Sequence, residues 1–140
     1  MANNGLNTED KIFNAAYNVF LLFGYHGTTL SQIASRAGVN KAAIHYYFRS
    51  KEKLYRIVVK SVLDLILSST FDFYTKQERL EKQTWFLYTE LYNNRQSFEH
   101  AMKEIYPNDW ECKMKESGKW LVIATDHLFL SRKHLIRIIL

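Results

Sequence analysis

The chain has few means of making a covalently stapled or metal-held fold. One cysteine, Cys112, stands among 140 residues, and a lone thiol cannot close an internal disulfide. Its nearest histidines, His100 and His127, lie too far along the chain to supply the close pairs of a zinc site. Cys112 therefore reads as a structural, partly buried thiol. No apolar run approaches the ~18 residues of a membrane span. Residues 1–8, MANNGLNT, lack both the basic start and the apolar middle of a secretion signal. The expectation is a cytoplasmic protein without membrane contact. Also missing are internal repeats, low-complexity tracts, a glycine-rich phosphate loop, and any Ser/His/Asp set, carboxylate pair or metal cluster at a usable spacing. No enzymatic activity and no cofactor are expected.

What is present is apolar, aromatic and unevenly charged. A 47% hydrophobic and 15% aromatic composition suits a folded globule. The net charge is +5, and all of it lies in residues 1–60, where eight Lys/Arg face three acids. Residues 61–140 hold eleven of each sign. A basic segment of this kind neutralises phosphates and releases counterions. For Arg36, Arg56 or Lys60 taken singly, a solvated surface is the reading. For Lys41, Arg49 and Lys51 the surrounding pattern favours a nucleic-acid partner.

That pattern is TTLSQIASRAGVNKAAIHYYFRSK, residues 28–51. Thr29 and Gln32 have capping-box spacing and should start a helix. Leu30, Ile33, Ala34 and Ala37 share one face of it, and Gly38 can end it by taking a left-handed conformation. Val39 plugs the turn. Asn40 can cap a second helix, Lys41 to about Phe48, with Ile44 and Phe48 as its inward i, i+4 pair. Lys41, Ala42, Ala43, His45, Tyr46 and Tyr47 then face outward. Small residues allow close approach to a groove and meet thymine methyls. Lys, His and Tyr supply phosphate and base-edge contacts. The second helix of a helix-turn-helix needs that mixture, and in that position His45 reads as a DNA contact rather than a catalytic base.

The run from Ile12 to about Leu65 resembles the N-terminal domain of the TetR (tetracycline-repressor-like) family of bacterial transcription regulators. The residues that carry the resemblance are Gly24-Tyr25, Thr28-Thr29, Ile33-Ala34, Ala37-Gly38-Val39, Lys41, Tyr46-Tyr47-Phe48 and Ser50-Lys51-Glu52-Lys53-Leu54. The resemblance implies an all-α fold, with a helix-turn-helix DNA-binding domain over residues 1–54. A shortened helical domain for ligand binding and dimerisation follows over 55–140. It also implies phosphate contacts at Lys51 and at Thr28 and Thr29, although both threonines could be plain caps. The expected DNA-binding set is Thr28, Thr29, Asn40, Lys41, Ala42, Ala43, His45, Tyr46, Tyr47 and Lys51.

Around this core, Asn7 or Thr8 caps a first helix whose buried stripe is Ile12, Ala15, Ala16, Val19, Phe20 and Phe23, with Gly24 at its end. Tyr25 should pack at the junction with its hydroxyl on water or a phosphate. Ser50 caps a fourth helix through about Ile66. Residues 68–74 read as a joint, and a helix from about Gln77 to Tyr92 carries the stripe Leu80, Thr84, Leu87, Tyr88 and Leu91. Asn93-Asn94 interrupts the pattern before a short helix, Gln96 to about Ile105, and Pro107 stops that one. A last helix starts near Trp110, and HLFLSRKHLIRIIL is amphipathic with a basic face.

The second half is rich in rings, among them Trp85, Tyr88, Tyr92 and Trp110. The resemblance implies that such rings line an effector cavity between helices, while filling a core accounts for them equally. Family members usually continue for two further helices that pair two subunits. This chain stops at Leu140, which reads either as a fragment or as an abbreviated interface. The function implied is a ligand-responsive repressor binding double-stranded operator DNA as a homodimer, with a small-molecule effector. The alternative is a helical ligand-binding or protein-interaction module that has lost productive DNA binding.

Overall fold

A computed structural model describes residues 5–67 and 80–127, with side chains through residue 122. Among the described residues the chain forms seven helices: α1 (Thr8–Gly27), α2 (Leu30–Ala37), α3 (Lys41–Phe48), α4 (Lys51–Ile66), α5 (Glu81–Asn93), α6 (Arg95–Ile105) and α7 (Trp110–His127). The joint expected at 68–74, the helix start expected at Gln77 and the amphipathic stretch beyond His127 lie outside the described residues.

The first four helices begin on side-chain caps. Asn7 Oδ1 accepts the Asp10 N–H at 2.8 Å, Asn40 Oδ1 that of Ala43 at 2.9 Å, and Ser50 Oγ that of Lys53 at 3.1 Å. At α2 the capping box is reciprocal. Thr29 Oγ1 accepts from the Gln32 N–H at 3.1 Å, and Gln32 Oε1 accepts from the Thr29 N–H at 2.7 Å. Each bond satisfies a donor that the first helical turn leaves free. Gly38, at φ +71 and ψ +33, ends α2 in the left-handed region. The Val39 N–H then closes back on the Ala34 carbonyl at 3.0 Å. Two short helices thus meet through a three-residue turn.

α1 packs across α2, α4 and α5, and α4 packs in turn on α6. Ile12, Ala16 and Phe20 of α1, Ile33 of α2, Ile44 of α3, and Leu54 and Val58 of α4 are fully buried together. α4 continues into the second half with Val59, Val62, Leu63 and Ile66 buried, against helices that contribute Phe86, Leu87, Phe98 and Met102. A stripe this wide lets α4 serve both halves. The division expected at 54/55 falls one turn into this helix.

Two expectations about burial need correcting. Phe23 has the phase of the α1 stripe but is 55% exposed, and Leu22 beside it 62%. They occupy the last turn before Gly24 breaks the helix at φ +72 and ψ −177. Phase alone does not bury a side chain where no neighbour covers that turn. Cys112 is exposed, because it lies in the first turn of α7 on the side facing solvent, where its thiol donates to Glu116 Oε1 at 3.6 Å.

Candidate nucleic-acid interface

The outward side of α3 is open. Lys41, Ala42, His45, Tyr46 and Tyr47 are exposed and Ala43 half-buried, while Ile44 and Phe48 hold the helix to the core. Tyr46 is 72% exposed and meets Tyr47 edge to face at 5.0 Å. His45 Nδ1 lies 3.2 Å from the Arg49 carbonyl. A carbonyl only accepts, so that contact places the proton on Nδ1 and leaves Nε2 of the neutral ring free to accept from outside. Arg49, at φ +74, turns the chain from α3 into α4, and Ser50 and Lys51 follow at once.

Lys51 is half-buried at the N-terminus of α4, with Nζ 4.3 Å from the centre of the Tyr25 ring. Partial burial lowers its pKa, against the opposing pull of Glu52 and Glu90. The Tyr25 hydroxyl donates to Glu52 Oε1 at 2.9 Å, so it is not the free phosphate or water donor expected of it. Burial, with Glu52 adding to it, pushes that hydroxyl up to about 12.

Thr28 does not belong to the outer face. It is 1% exposed, and its hydroxyl donates inward to the Gly24 carbonyl at 2.7 Å, with the Val19 carbonyl at 3.4 Å. The Gly24 carbonyl lacks the Thr28 N–H that an unbroken helix would give it, because that N–H closes on the Tyr25 carbonyl at 3.4 Å. Thr28 is withdrawn as a phosphate contact, and Thr29, exposed and already capping α2, keeps its outward position.

The four aromatic candidates in the second half come from two helices. Trp85, Tyr88 and Tyr92 lie along α5, with Tyr88 and Tyr92 stacked at 6.1 Å and 2°. Trp110 opens α7 beneath Lys103, whose Nζ is 4.6 Å from its ring. Residues not foreseen make the junction instead. Glu90 of α5 is fully buried, where Oε1 accepts from the Tyr25 N–H at 2.7 Å and the Tyr55 hydroxyl at 3.0 Å, and Oε2 accepts from the Asn94 amide. Beside it a half-open cavity of about 260 Å³ is lined by Tyr25, Glu52, Tyr55, Arg56, Gln96 and His100, among others. Among the described residues no group of three His, Cys, Asp or Glu could hold a metal ion. No described helix is long and apolar enough to cross a membrane.

Burial raises the Glu90 pKa, although its three hydrogen-bond donors and His26 pull it down. The folded chain therefore takes up this proton before the unfolded chain does. The Glu90 contribution to stability rises as pH falls from the raised value to the ordinary 4.5 and is level on either side. Glu52 shifts the other way, held low by its own backbone N–H and by the Tyr25 hydroxyl, so its contribution is lost only below that window. Urea unfolding of the parent and Glu90→Gln across this range should show the parent gaining on the variant with acidification. A constant difference would contradict the assignment.

Residues 12–58 match the family model described as bacterial regulatory proteins, tetR family. The HTH-type transcriptional regulator RutR of Escherichia coli (strain K12) is 51% identical over 60 residues, which is 43% of this chain and 28% of RutR. The biofilm operon icaADBC HTH-type negative transcriptional regulator IcaR of Staphylococcus aureus (strain Newman) is 40% identical over 58 residues, 41% of this chain and 31% of IcaR. The chain thus covers less than a third of the length of these curated relatives. A crystal structure of a HlyIIR mutant protein superposes with a TM-score of 0.53 at 21% identity, over 93% of this chain and 87% of that one, a likeness of fold alone. Residues 12–58, about a third of the chain, are thus similar to the helix-turn-helix domain of the tetR family of bacterial regulatory proteins.

Proposed function

We propose that the chain is a sequence-specific DNA-binding transcriptional regulator, a repressor, that works as a homodimer on double-stranded operator DNA in the cytoplasm and answers to a small-molecule effector. The observation that carries this reading is the outer side of α3. Its residues are small at the N-terminal end, then aromatic and polar, and all but the half-buried Ala43 are exposed. Lys41, Ala42, Ala43, His45, Tyr46 and Tyr47 would meet base edges and phosphates, with Asn40 at the helix entry. Thr29 and Lys51 would grip the backbone on either side, Lys51 adding its charge to the N-terminus of α4. Two copies would set their α3 helices about 34–36 Å apart, or a multiple of that, to enter successive major grooves. An effector that prefers another separation would release the DNA. IcaR, named a negative transcriptional regulator, supports repression as the sense of the control.

A gel-shift titration on DNA from its own promoter region tests this. Lys41→Ala and Tyr47→Phe should each weaken binding by about three- to tenfold, and binding should fall steeply with added salt as released counterions lose their entropic advantage. Undiminished affinity in both variants would remove α3 from the duplex. A monomer that binds weakly and without regard to sequence would favour a helical interaction module instead.

A further inference from the structure

Glu90 belongs to the second half of the chain, yet two of its three hydrogen bonds reach residues that precede the joint. The Tyr25 N–H is available because Gly24, at ψ −177, turns it out of the helical ladder of α1. Gly24 also sets how closely the two halves meet. A Cβ built there would stand 2.7 Å from Glu90 Oε2 and 3.0 Å from Asn94 Nδ2, so the α1 backbone lies as near the carboxylate as glycine allows. The Tyr55 hydroxyl brings in α4 from the other side. A buried carboxylate is a costly way to fill space, and an apolar side chain of similar size often stabilises a core more. What the carboxylate supplies is direction, since its bonds fix angles that packing by the neighbouring Phe86 and Leu87 leaves free.

We propose that Glu90 is a positioning residue that locks the corner between α1 and α2, together with α4, onto α5, so that α3 is presented at one angle to the rest of the molecule. The proposal rests on the DNA-binding reading for its purpose, but its geometry can be measured without DNA. The full chain carries one exposed thiol on α7, Cys112. Ser35→Cys adds a second on the exposed side of α2. Spin labels on the two report the α2 to α7 distance, read in labelled chain diluted with unlabelled chain.

The parent should give one narrow distance. Glu90→Gln should preserve it, because the glutamine oxygen accepts from Tyr25 and Tyr55 while Asn94 turns its amide to present oxygen to the new NH2. DNA affinity should then stay within about threefold of the parent. Glu90→Ala should broaden or shift the distance at a temperature where its circular dichroism still matches the parent, and should lower DNA affinity about tenfold or more. If Glu90→Ala does not fold, Tyr55→Phe, which removes one donor and almost no volume, should broaden the distance in part. A folded Glu90→Ala with the parental distance and affinity would reduce Glu90 to a stability element and overturn the proposal. Equal loss in Glu90→Gln would overturn hydrogen-bond direction as the cause. A distance that responds to Glu90 in a chain that binds no DNA would keep the lock and sink the DNA-binding reading. Variants that all bind DNA with an unmoved distance would do the reverse.

Discussion

Gly24→Ala should destabilise the protein by about 3 kcal/mol or more, whereas Gly38→Ala should cost only about 1–2 kcal/mol. The two glycines have nearly the same φ, +72 and +71. They differ in ψ and in what surrounds them. Gly38 sits at ψ +33 with nothing within 4 Å of the point where a Cβ would stand, a left-handed conformation that other residues reach at moderate cost. Gly24 sits at ψ −177, a region that is almost glycine's alone. An added methyl there would also push the Glu90 carboxylate off its donors, each worth about 1–3 kcal/mol when left buried and unpaired. Urea unfolding of both variants measures the contrast, and equal costs would show that Gly24 matters for φ alone.

Phe20→Ala should cost about 3–5 kcal/mol, and Phe23→Ala less than about 1 kcal/mol. Phe20 is 0% exposed, and its ring meets the edge of Tyr55 at 5.3 Å. Tyr55 in turn touches Tyr25 at 4.8 Å and Phe86 at 6.3 Å. Removing the Phe20 ring would open a cavity where α1, α4 and α5 converge, and surrounding rings with hydroxyls already committed have little freedom to close it. Three residues on, Phe23 has the same side chain with more than half of it in water. Chemical denaturation of the two variants separates burial from residue type. Similar losses would place a neighbour over Phe23.

What the sequence disclosed most clearly was whatever is settled within three or four residues. The Thr29–Gln32 capping box, the Asn40 and Ser50 caps, the left-handed Gly38 and the inward pair Ile44 and Phe48 all stand as expected. Each depends on local backbone geometry that neighbouring side chains determine. The break at Asn93-Asn94 was legible too, because α5 ends at Asn93 and α6 starts at Arg95. The errors arise where partners or covers are not set by spacing. Thr28 turns its hydroxyl inward to carbonyls four and nine positions back at the break in α1, Tyr25 finds Glu52 across 27 positions of sequence, and Phe23 and Cys112 lack a cover. Glu90 did leave a trace: it lies three positions after Leu87 and four after Phe86, on the buried side of α5. A carboxylate in that phase has to be paired. Its two partners in the first half, 65 and 35 positions away, could not be read from periodicity.

α4 spans 16 residues without a break, a rod of about 24 Å. Its first turn adjoins α3, the surface proposed to meet DNA, and its last turns sit among the helices of the second half. A rigid rod of that length is a lever arm: a swing of about 5° at one end carries the other through about 2 Å. That is most of the length of a hydrogen bond, enough to unseat a side chain from a base edge. A disturbance too small to alter the packing around Ile66 would still be felt where Lys51 sits.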